Sequence, residues 1–538
     1  MTDIEIPTGK RKPWYRFFEI LPGALSYIFI LLPVVLSFIN PLLAAVFIIV
    51  YIITYLVKAI AMAYRTIQGY QTLQNAQKVD WASRLADLED PEASLKNPTY
   101  GGRWRAHVHE QRLEQLAVTT NRKKPSDIYN AIVIATYNES RDILEPTIQA
   151  ILEGDYDPKH LILTIAYEER GGKDIEDTVM GLMRDYGDKF ADSLAVKHPK
   201  DLPDEVIGKG GNITYAGREL QKHLESKKMD FENVIVTTLD ADNRVHKGYF
   251  SYVTYEYIVH PEPRYVAFQP LALFLNNIWD VPAPMRVVAT GNSFWNLINS
   301  LRPHMLRNFA SHSQSMAALV DMDFWSTKTI VEDGHQFWRS YFRYDGHYDV
   351  VPIYVPIYQD AVLSDSYRRT LKAQFVQVRR WAYGASDVAY VATRFFRRDR
   401  TVPFWDGLFK FIRLLESHVS WATVAVIILL GAWAPLLINP ESSRSIIAHQ
   451  LPTIVSYIQT IAMIGLFITI FLSFKLLPPR PERYKKRRNF LMLIQWVLMP
   501  LTSVVYGSSA AFYSQTRLML GRYLDKFDVT EKAVVKDK

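Results

Sequence analysis

Val234-Ile235-Val236-Thr237-Thr238-Leu239-Asp240-Ala241-Asp242-Asn243 joins an apolar, β-branched run to two carboxylates spaced i and i+2. The run reads as a buried strand, and both acids fall at its carboxyl end. In open α/β sheets that edge binds ligands. Carboxylates on a short turn are hard oxygen donors suited to Mg²⁺ or Mn²⁺, with substrate phosphates completing the coordination. Acidic turns are also common as solvated or capping residues, so the pair takes its meaning from what accompanies it.

Upstream, short apolar runs alternate with helical patterns. Asn130 to Thr136 and Leu161 to Ala166 read as strands, and Ile143 to Leu152, Asp174 to Tyr186 and Ile213 to Ser226 as helices. Downstream, Tyr265 to Gln269 reads as a further strand, with helices around Phe294 to Leu301 and Phe337 to Tyr341. Alternation of this kind predicts an α/β domain with a doubly wound, mostly parallel sheet.

Apolar segments flank this domain on both sides. Leu21 to Ile39 and Leu42 to Ala63, separated by Asn40-Pro41, are each near the length needed to cross a bilayer and predict a transmembrane hairpin. A buried hairpin in a soluble protein is the alternative, disfavoured by two nearly charge-free runs in succession. Lys10, Arg11, Lys12 and Arg16 before the hairpin and Arg65 after it place both ends in the cytoplasm. The mixed aromatic and basic stretch Phe404 to Arg413 suits an interfacial helix or an ordinary amphipathic surface helix. Trp421 to Ile438 and Pro452 to Phe474 predict a second hairpin, followed by a strongly basic loop. The last apolar segment, Phe490 to Tyr513, carries Pro500 near its middle, and a basic tail follows. That tail stays on the domain side if the segment is re-entrant or kinked into a hairpin.

The 538 residues are 49% hydrophobic with a formal charge of +7, and the basic residues cluster beside apolar segments. That pattern belongs to the cytoplasmic face of a membrane protein, so nucleic acid is discounted as a partner. With no cysteine, disulfides, thiolate nucleophiles and thiolate metal sites are excluded.

Further features accompany the acidic pair. Thr136-Tyr137-Asn138-Glu139 ends the first strand, and Glu168-Glu169 follows the second. Gly208-Lys209-Gly210-Gly211-Asn212 precedes a helix and offers close backbone approach with a lysine for phosphate, without Walker spacing. Glu332-Asp333 and Gln377-Val378-Arg379-Arg380-Trp381 come later. Singly, each has a structural explanation as a solvated loop, a helix cap, a salt bridge or core.

In this order the set resembles the membrane-bound family 2 glycosyltransferases, the cellulose synthase and hyaluronan synthase group. The resemblance covers Tyr129 to Trp381 and the flanking hairpins, and Phe527-Asp528-Val529-Thr530-Glu531-Lys532 is similar to the Phe-x-Val-Thr-x-Lys gating motif of cellulose synthases. It departs in three places. Glu168-Glu169 stands where the group has Asp-Asp, Asn308-Phe309-Ala310-Ser311-His312 where it has Phe-Phe-Cys-Gly, and the gating motif lies near the C-terminus after fewer apolar segments.

The resemblance implies a GT-A (Rossmann-like) cytoplasmic domain inserted between transmembrane helices of the cytoplasmic membrane. It implies a nucleotide-diphosphate-sugar donor, a UDP-sugar foremost, held by Thr136, Tyr137, Glu139, Glu168, Lys209, Asp240, Gln377 and Arg380, with Thr530 and Lys532 closing over it. Asp240 and Asp242 would bind Mg²⁺ or Mn²⁺, with Asp242 favoured as the direct ligand. Asp333 would be the general base, and Trp381 would stack on the acceptor. The implied organisation is a hairpin over 1–64, a connector over 65–124, the GT-A domain over 125–365, the QxxRW segment and interfacial helices over 366–416, membrane helices over 417–514 and a cytoplasmic tail over 515–538.

Three readings stay open. The first is inverting, processive synthesis of a β-linked polysaccharide, which accessory export or regulatory proteins would accompany. The second is transfer of one sugar to a lipid acceptor such as a polyprenyl phosphate or diacylglycerol. The third is a non-catalytic membrane scaffold.

Overall fold

The computed structural model of the chain describes residues 4–7, 9–97, 99–439, 444–524 and 532–533. Among these, eight strands pair into one sheet. They are β1 (Tyr129–Thr136), β2 (Leu161–Glu168), β3 (Asp192–His198), β4 (Val234–Asp240), β5 (Arg244–Val245), β6 (Val266–Leu273), β7 (Ser313–Ser315) and β8 (Asp349–Tyr358), in the spatial order β3-β2-β1-β4-β7-β6-β8-β5. Only β7 and β5 run antiparallel to their neighbours, so the sheet is mixed but mostly parallel.

The core strands β2 and β6 are buried at every position, and β1 and β4 at nearly every one. Continuous β-branched runs are what a parallel strand covered on both faces requires. Helices Arg141–Leu152 and Gly172–Tyr186 pack on one face, where Ile132, Ile134, Ile148, Leu163, Val179 and Leu239 share a cluster. Lys209–Ser226 covers the other with Ile213, Leu220, Val133, Val236 and Trp325. Each fully buried Ile, Val or Leu contributes about 1.5–3 kcal/mol.

The carboxyl ends of β1, β2, β4 and β8 lie on one edge and carry Thr136, Glu168, Asp240 and, just beyond β8, Asp360. Two helices begin at that edge. Lys209–Ser226 starts one turn earlier than the sequence pattern predicts, so Lys209 to Asn212 form its first turn rather than a preceding loop. Asn212 Nδ2 donates to the carbonyls of Thr136 (3.3 Å) and Ala166 (3.0 Å), tying that turn to the ends of β1 and β2. A Cβ on Gly210 would lie 2.6 Å from the Ser326 carbonyl oxygen and 3.2 Å from Glu332 Cβ. Glycine therefore lets this turn press against the start of the second helix, Glu332–Arg343.

Among the described residues, five helical stretches are long and apolar enough to cross a membrane: Pro13–Ile39, Pro41–Ala76, Phe404–Leu430, Ile446–Leu476 and Arg487–Met519. Asn40 ends the first and caps the second, its side chain accepting from Leu42 N at 2.9 Å with Pro41 at the first helical position. The aromatic-basic stretch and the following apolar run form one uninterrupted helix, Phe404–Leu430. A polar seam joins it to Pro41–Ala76. Tyr51 Oη meets Thr423 Oγ1 at 2.9 Å, Tyr55 Oη meets Ser420 Oγ at 2.6 Å, and Lys58 pairs with Glu416.

The stretch Arg487–Met519 does not fold into a hairpin at Pro500. It continues as one helical run with a π-turn at Ser503–Ser508, and it touches the α/β domain along its length. Arg488 donates to the Trp279 carbonyl (2.8 Å), Arg286 bonds Gln495, and Ser514 donates to the Arg379 carbonyl (2.7 Å). At its end Arg16 donates to the carbonyls of Leu518 (2.9 Å) and Met519 (2.8 Å).

Candidate functional site

The turn after β4 is pinned from four directions. Asn243 Oδ1 accepts from Asp240 N (2.9 Å), Thr147 Oγ1 donates to the Ala241 carbonyl (2.7 Å), Asn276 Nδ2 donates to the Asp242 carbonyl (2.9 Å), and Asp360 N donates to Asp242 Oδ2 (3.0 Å). Such bracing fixes the backbone of the turn and the Asp242 carboxylate before any ligand arrives.

Each carboxylate of the pair meets a lysine. Lys209 Nζ lies 2.9 Å from Asp240 Oδ1 and 3.6 Å from Asp333 Oδ1. Lys532 Nζ lies 2.8 Å from Asp242 Oδ1. Burial works against the Lys209 ammonium, yet Asp240, Asp333 and Glu332 outweigh it and raise its pKa. Lys532 is raised in the same way, against burial, by Asp242, Glu139 and Asp240. Burial pushes the Asp240 carboxyl up, but Lys209, Lys532 and Arg380 prevail and hold it below its usual range. Thus the sheet end, the helix start, the Arg380 helix (Tyr367–Ala382) and the tail lysine converge. Lys532 reaches the site through a bridge of its backbone to Leu363, with Ala533 N donating to the Leu363 carbonyl at 3.0 Å. Thr530, expected beside it, lies outside the described residues.

Asp333 Oδ1 is buried without a hydrogen-bond partner among the described residues. A buried carboxylate oxygen left open is an acceptor awaiting a proton donor. Next to it, burial and the charge of Asp333 push the Glu332 carboxyl upward.

The other predicted residues have more varied surroundings. Glu139 Oε2 accepts from Thr136 Oγ1 (2.7 Å), Tyr137 N (2.8 Å) and Asn138 N (3.2 Å), so it shapes the turn after β1 while facing Lys532. The Arg170 guanidinium stands 5.4 Å from the Tyr137 ring centre. A Cβ on Gly171 would fall 1.9 Å from the Tyr137 carbonyl oxygen, so only glycine permits that approach. Glu168 Oε2 is engaged by Arg170 (2.6 Å) and by His198 Nδ1 (3.3 Å). Gln377 Oε1 accepts from Gln374 Nε2 at 3.1 Å, and Trp381 packs 6.0 Å from the Phe274 ring.

Three contributors were not expected from the sequence: Asp360, Asn212 and His198. Burial and Asp242 push the Asp360 carboxyl up to about 7. His198 lies between Glu168 and Glu205, whose oxygen is 3.0 Å from Nε2. Burial opposes its charge, but the two glutamates raise it to about 9. The ordinary value is about 6.5. This cluster's stabilisation is therefore complete below the ordinary value and lost as pH rises through about 9. Between pH 7 and pH 9.5 the wild-type melting temperature is expected to fall more steeply than that of His198→Gln; parallel curves would show that the cluster contributes nothing.

The acidic turn fits a divalent cation in part. Among the described residues no three His, Asp or Glu side chains form a complete metal cage. Asp242, 7% exposed, and Asp240 would offer hard oxygens to such an ion. Lys532 shares Asp242 with any such ion. Lys532→Ala is expected to tighten Mn²⁺ binding by the nucleotide-free protein several-fold, read by the electron spin resonance of free Mn²⁺. An unaltered affinity would show that the lysine and the ion do not compete.

No family model matches the chain, and no curated protein matches it. Solved structures do. One is the mannosyltransferase PcManGT from Pyrobaculum calidifontis in complex with GDP-Man and Mn²⁺, at 13% identity over 85% of this chain and 99% of that one, with a TM-score of 0.40. Another is S. aureus TarS 1-349 in complex with UDP, at 12% identity over 64% and 90% of the two chains, with a TM-score of 0.35. A third is GalNAc-T7 with UDP, GalNAc and Mn²⁺, at 11% identity over 56% and 58%, with a TM-score of 0.29. At these identities and TM-scores none of them assigns the chain to a family.

Proposed function

We propose that the protein is a membrane-embedded, inverting glycosyltransferase of family 2 that moves a sugar from a nucleotide-diphosphate donor to a polysaccharide on the cytoplasmic face. The observation that carries this reading is the Lys209 ammonium held between Asp240 and the open oxygen of Asp333. It sets a cation for a departing diphosphate beside a base for an attacking hydroxyl.

A sugar hydroxyl is a poor nucleophile, and a nucleotide diphosphate leaves with substantial negative charge. Asp333 takes the acceptor proton as the hydroxyl oxygen attacks the anomeric carbon. Lys209, Arg380 and Lys532 receive the diphosphate, and Trp381 offers a ring face to the acceptor sugar. A divalent ion held by Asp242 and Asp240 supplies further neutralisation of the leaving group when bound. Thr136, Tyr137, Glu139 and Glu168 line the nucleoside side, and Gln377 accompanies Arg380. A single displacement inverts the anomeric centre.

The second reading, transfer of one sugar to a lipid acceptor, draws support from the Arg487–Met519 stretch. It lies against the domain and leaves four other apolar helices, two of them closed on each other by the polar seam. Purified protein in lipid, given a panel of radiolabelled nucleotide sugars with Mg²⁺ or Mn²⁺, separates the readings. Long polymer is the expected product. A singly glycosylated lipid would replace the first reading with the second, and no incorporation from any donor would overturn both.

A further inference from the structure

Where the Phe404–Leu430 helix begins, a small pocket opens between that helix and the residues 304–307 that precede β7. Arg307, Trp338, Phe409, Lys410 and Arg413 wall it, with His304 beside them. We propose that this pocket binds the phosphate headgroup of an anionic phospholipid of the surrounding bilayer.

Arg307 has no ion pair among the described residues. Its guanidinium stacks 4.8 Å from the Trp338 ring centre. Burial lowers it to about 10, and the carboxylate acting on it, Asp387, is already engaged by His335 Nδ1 at 2.7 Å. Trp338 adds a buried indole N–H with no hydrogen-bond partner among the described residues. A partly buried cation stacked on an indole and an unused donor together call for an anion with acceptor oxygens.

The charge around the pocket points the same way. Arg302 is held down by burial and by the nearby charges of Arg65 and Arg413, and only Glu416 opposes them. Glu416 is shared between Lys58 and Arg413, while Asp406 is shared between Lys410 and the Tyr341 hydroxyl. Six basic side chains, Lys58, Arg65, Arg302, Arg307, Lys410 and Arg413, thus stand around three carboxylates, Asp387, Asp406 and Glu416, each already engaged.

Location selects the source of the anion. Phe404, Trp405, Phe409 and Ile412 are 41%, 78%, 47% and 52% exposed on the first turns of the same helix. An aromatic and aliphatic face interleaved with cations seats a helix at headgroup depth. The inner space is about 20 Å³. That admits one phosphoryl oxygen, with the rest of the headgroup at the mouth and its acyl chains along the exposed apolar face.

The test uses the full chain purified with its lipids, with phosphatidylglycerol and phosphatidylcholine retention read by native mass spectrometry. Wild type is expected to keep phosphatidylglycerol preferentially. Arg413→Ala, at the rim, is expected to weaken that retention about fivefold, and Arg307→Ala with Arg413→Ala about 25-fold. Should the double variant fail to fold, Arg413→Ala and Lys410→Ala carry the comparison alone. Equal retention of the two lipids by wild type, or unchanged retention by the rim variants, would overturn the proposal. So would displacement of phosphatidylglycerol by an equal concentration of a polyprenyl phosphate, which would make the pocket an acceptor site.

Discussion

Asp333→Asn is expected to lower sugar transfer by about 10²–10⁴-fold, the usual span of general-base assistance, while donor nucleotide binding changes little. Asparagine keeps the size and planar shape of the side chain and loses its ability to accept a proton. The Asp333 oxygen that faces Lys209 makes no hydrogen bond among the described residues, so the change breaks no hydrogen bond there and weakens only the 3.6 Å ion pair with Lys209. Lys209 keeps Asp240 at 2.9 Å, and the diphosphate cation therefore stays in place. The two effects separate when turnover is followed with labelled donor and binding by calorimetry. Turnover within a few-fold of wild type would remove Asp333 from the reaction.

Asp242→Ala should do the reverse. Metal-dependent nucleotide binding is expected to fall by about 100-fold or more, since loss even of an outer-shell partner costs about 10–100-fold in metal affinity. Asp242 is 7% exposed and braced by Asp360 N and Asn276, so water cannot simply occupy the position as an equivalent donor. Removing it also frees Lys532 from its 2.8 Å partner. Nucleotide binding without metal should therefore weaken less than binding with it. An equal loss in both conditions would show that Asp242 acts on the nucleotide directly.

How far such a site can be read before folding depends on where its walls come from. β1, β2 and β4 are legible because strands covered on both faces must be continuously apolar. β3 was missed because it is an edge strand, half exposed, with the polar composition Asp-Ser-Leu-Ala-Val-Lys-His. β7 is Ser-Gln-Ser and holds its place by pairing, including Thr237 Oγ1 to Ser313 Oγ at 2.7 Å, rather than by propensity. β8 contains Pro352 and Pro356, which argue against a central strand. It tolerates them because its outer neighbour β5 is only two residues long and its register with β6 shifts next to Pro270. With β8 unrecognised, Asp360 at its end could not be placed. Asp240 and Lys209 can be singled out because each ends or begins an element at the same sheet edge, whereas Arg380 lies inside Tyr367–Ala382 and is singled out only by the Gln377 to Trp381 motif. Lys532 is placed at the donor by its motif, whereas the particular carboxylate it meets, Asp242, nearly 300 residues away in sequence, is seen only in three dimensions.

The seam between Pro41–Ala76 and Phe404–Leu430 sets how firmly these two helices are held together. Interhelical side-chain bonds in membranes average about 0.6 kcal/mol. Parting Tyr51 from Thr423 and Tyr55 from Ser420 would therefore cost about 1.2 kcal/mol, roughly twice RT, with the Lys58–Glu416 pair in addition. Hydroxyls that bond each other across the seam are satisfied without water, so both helices keep an apolar outer surface while carrying a polar strip between them.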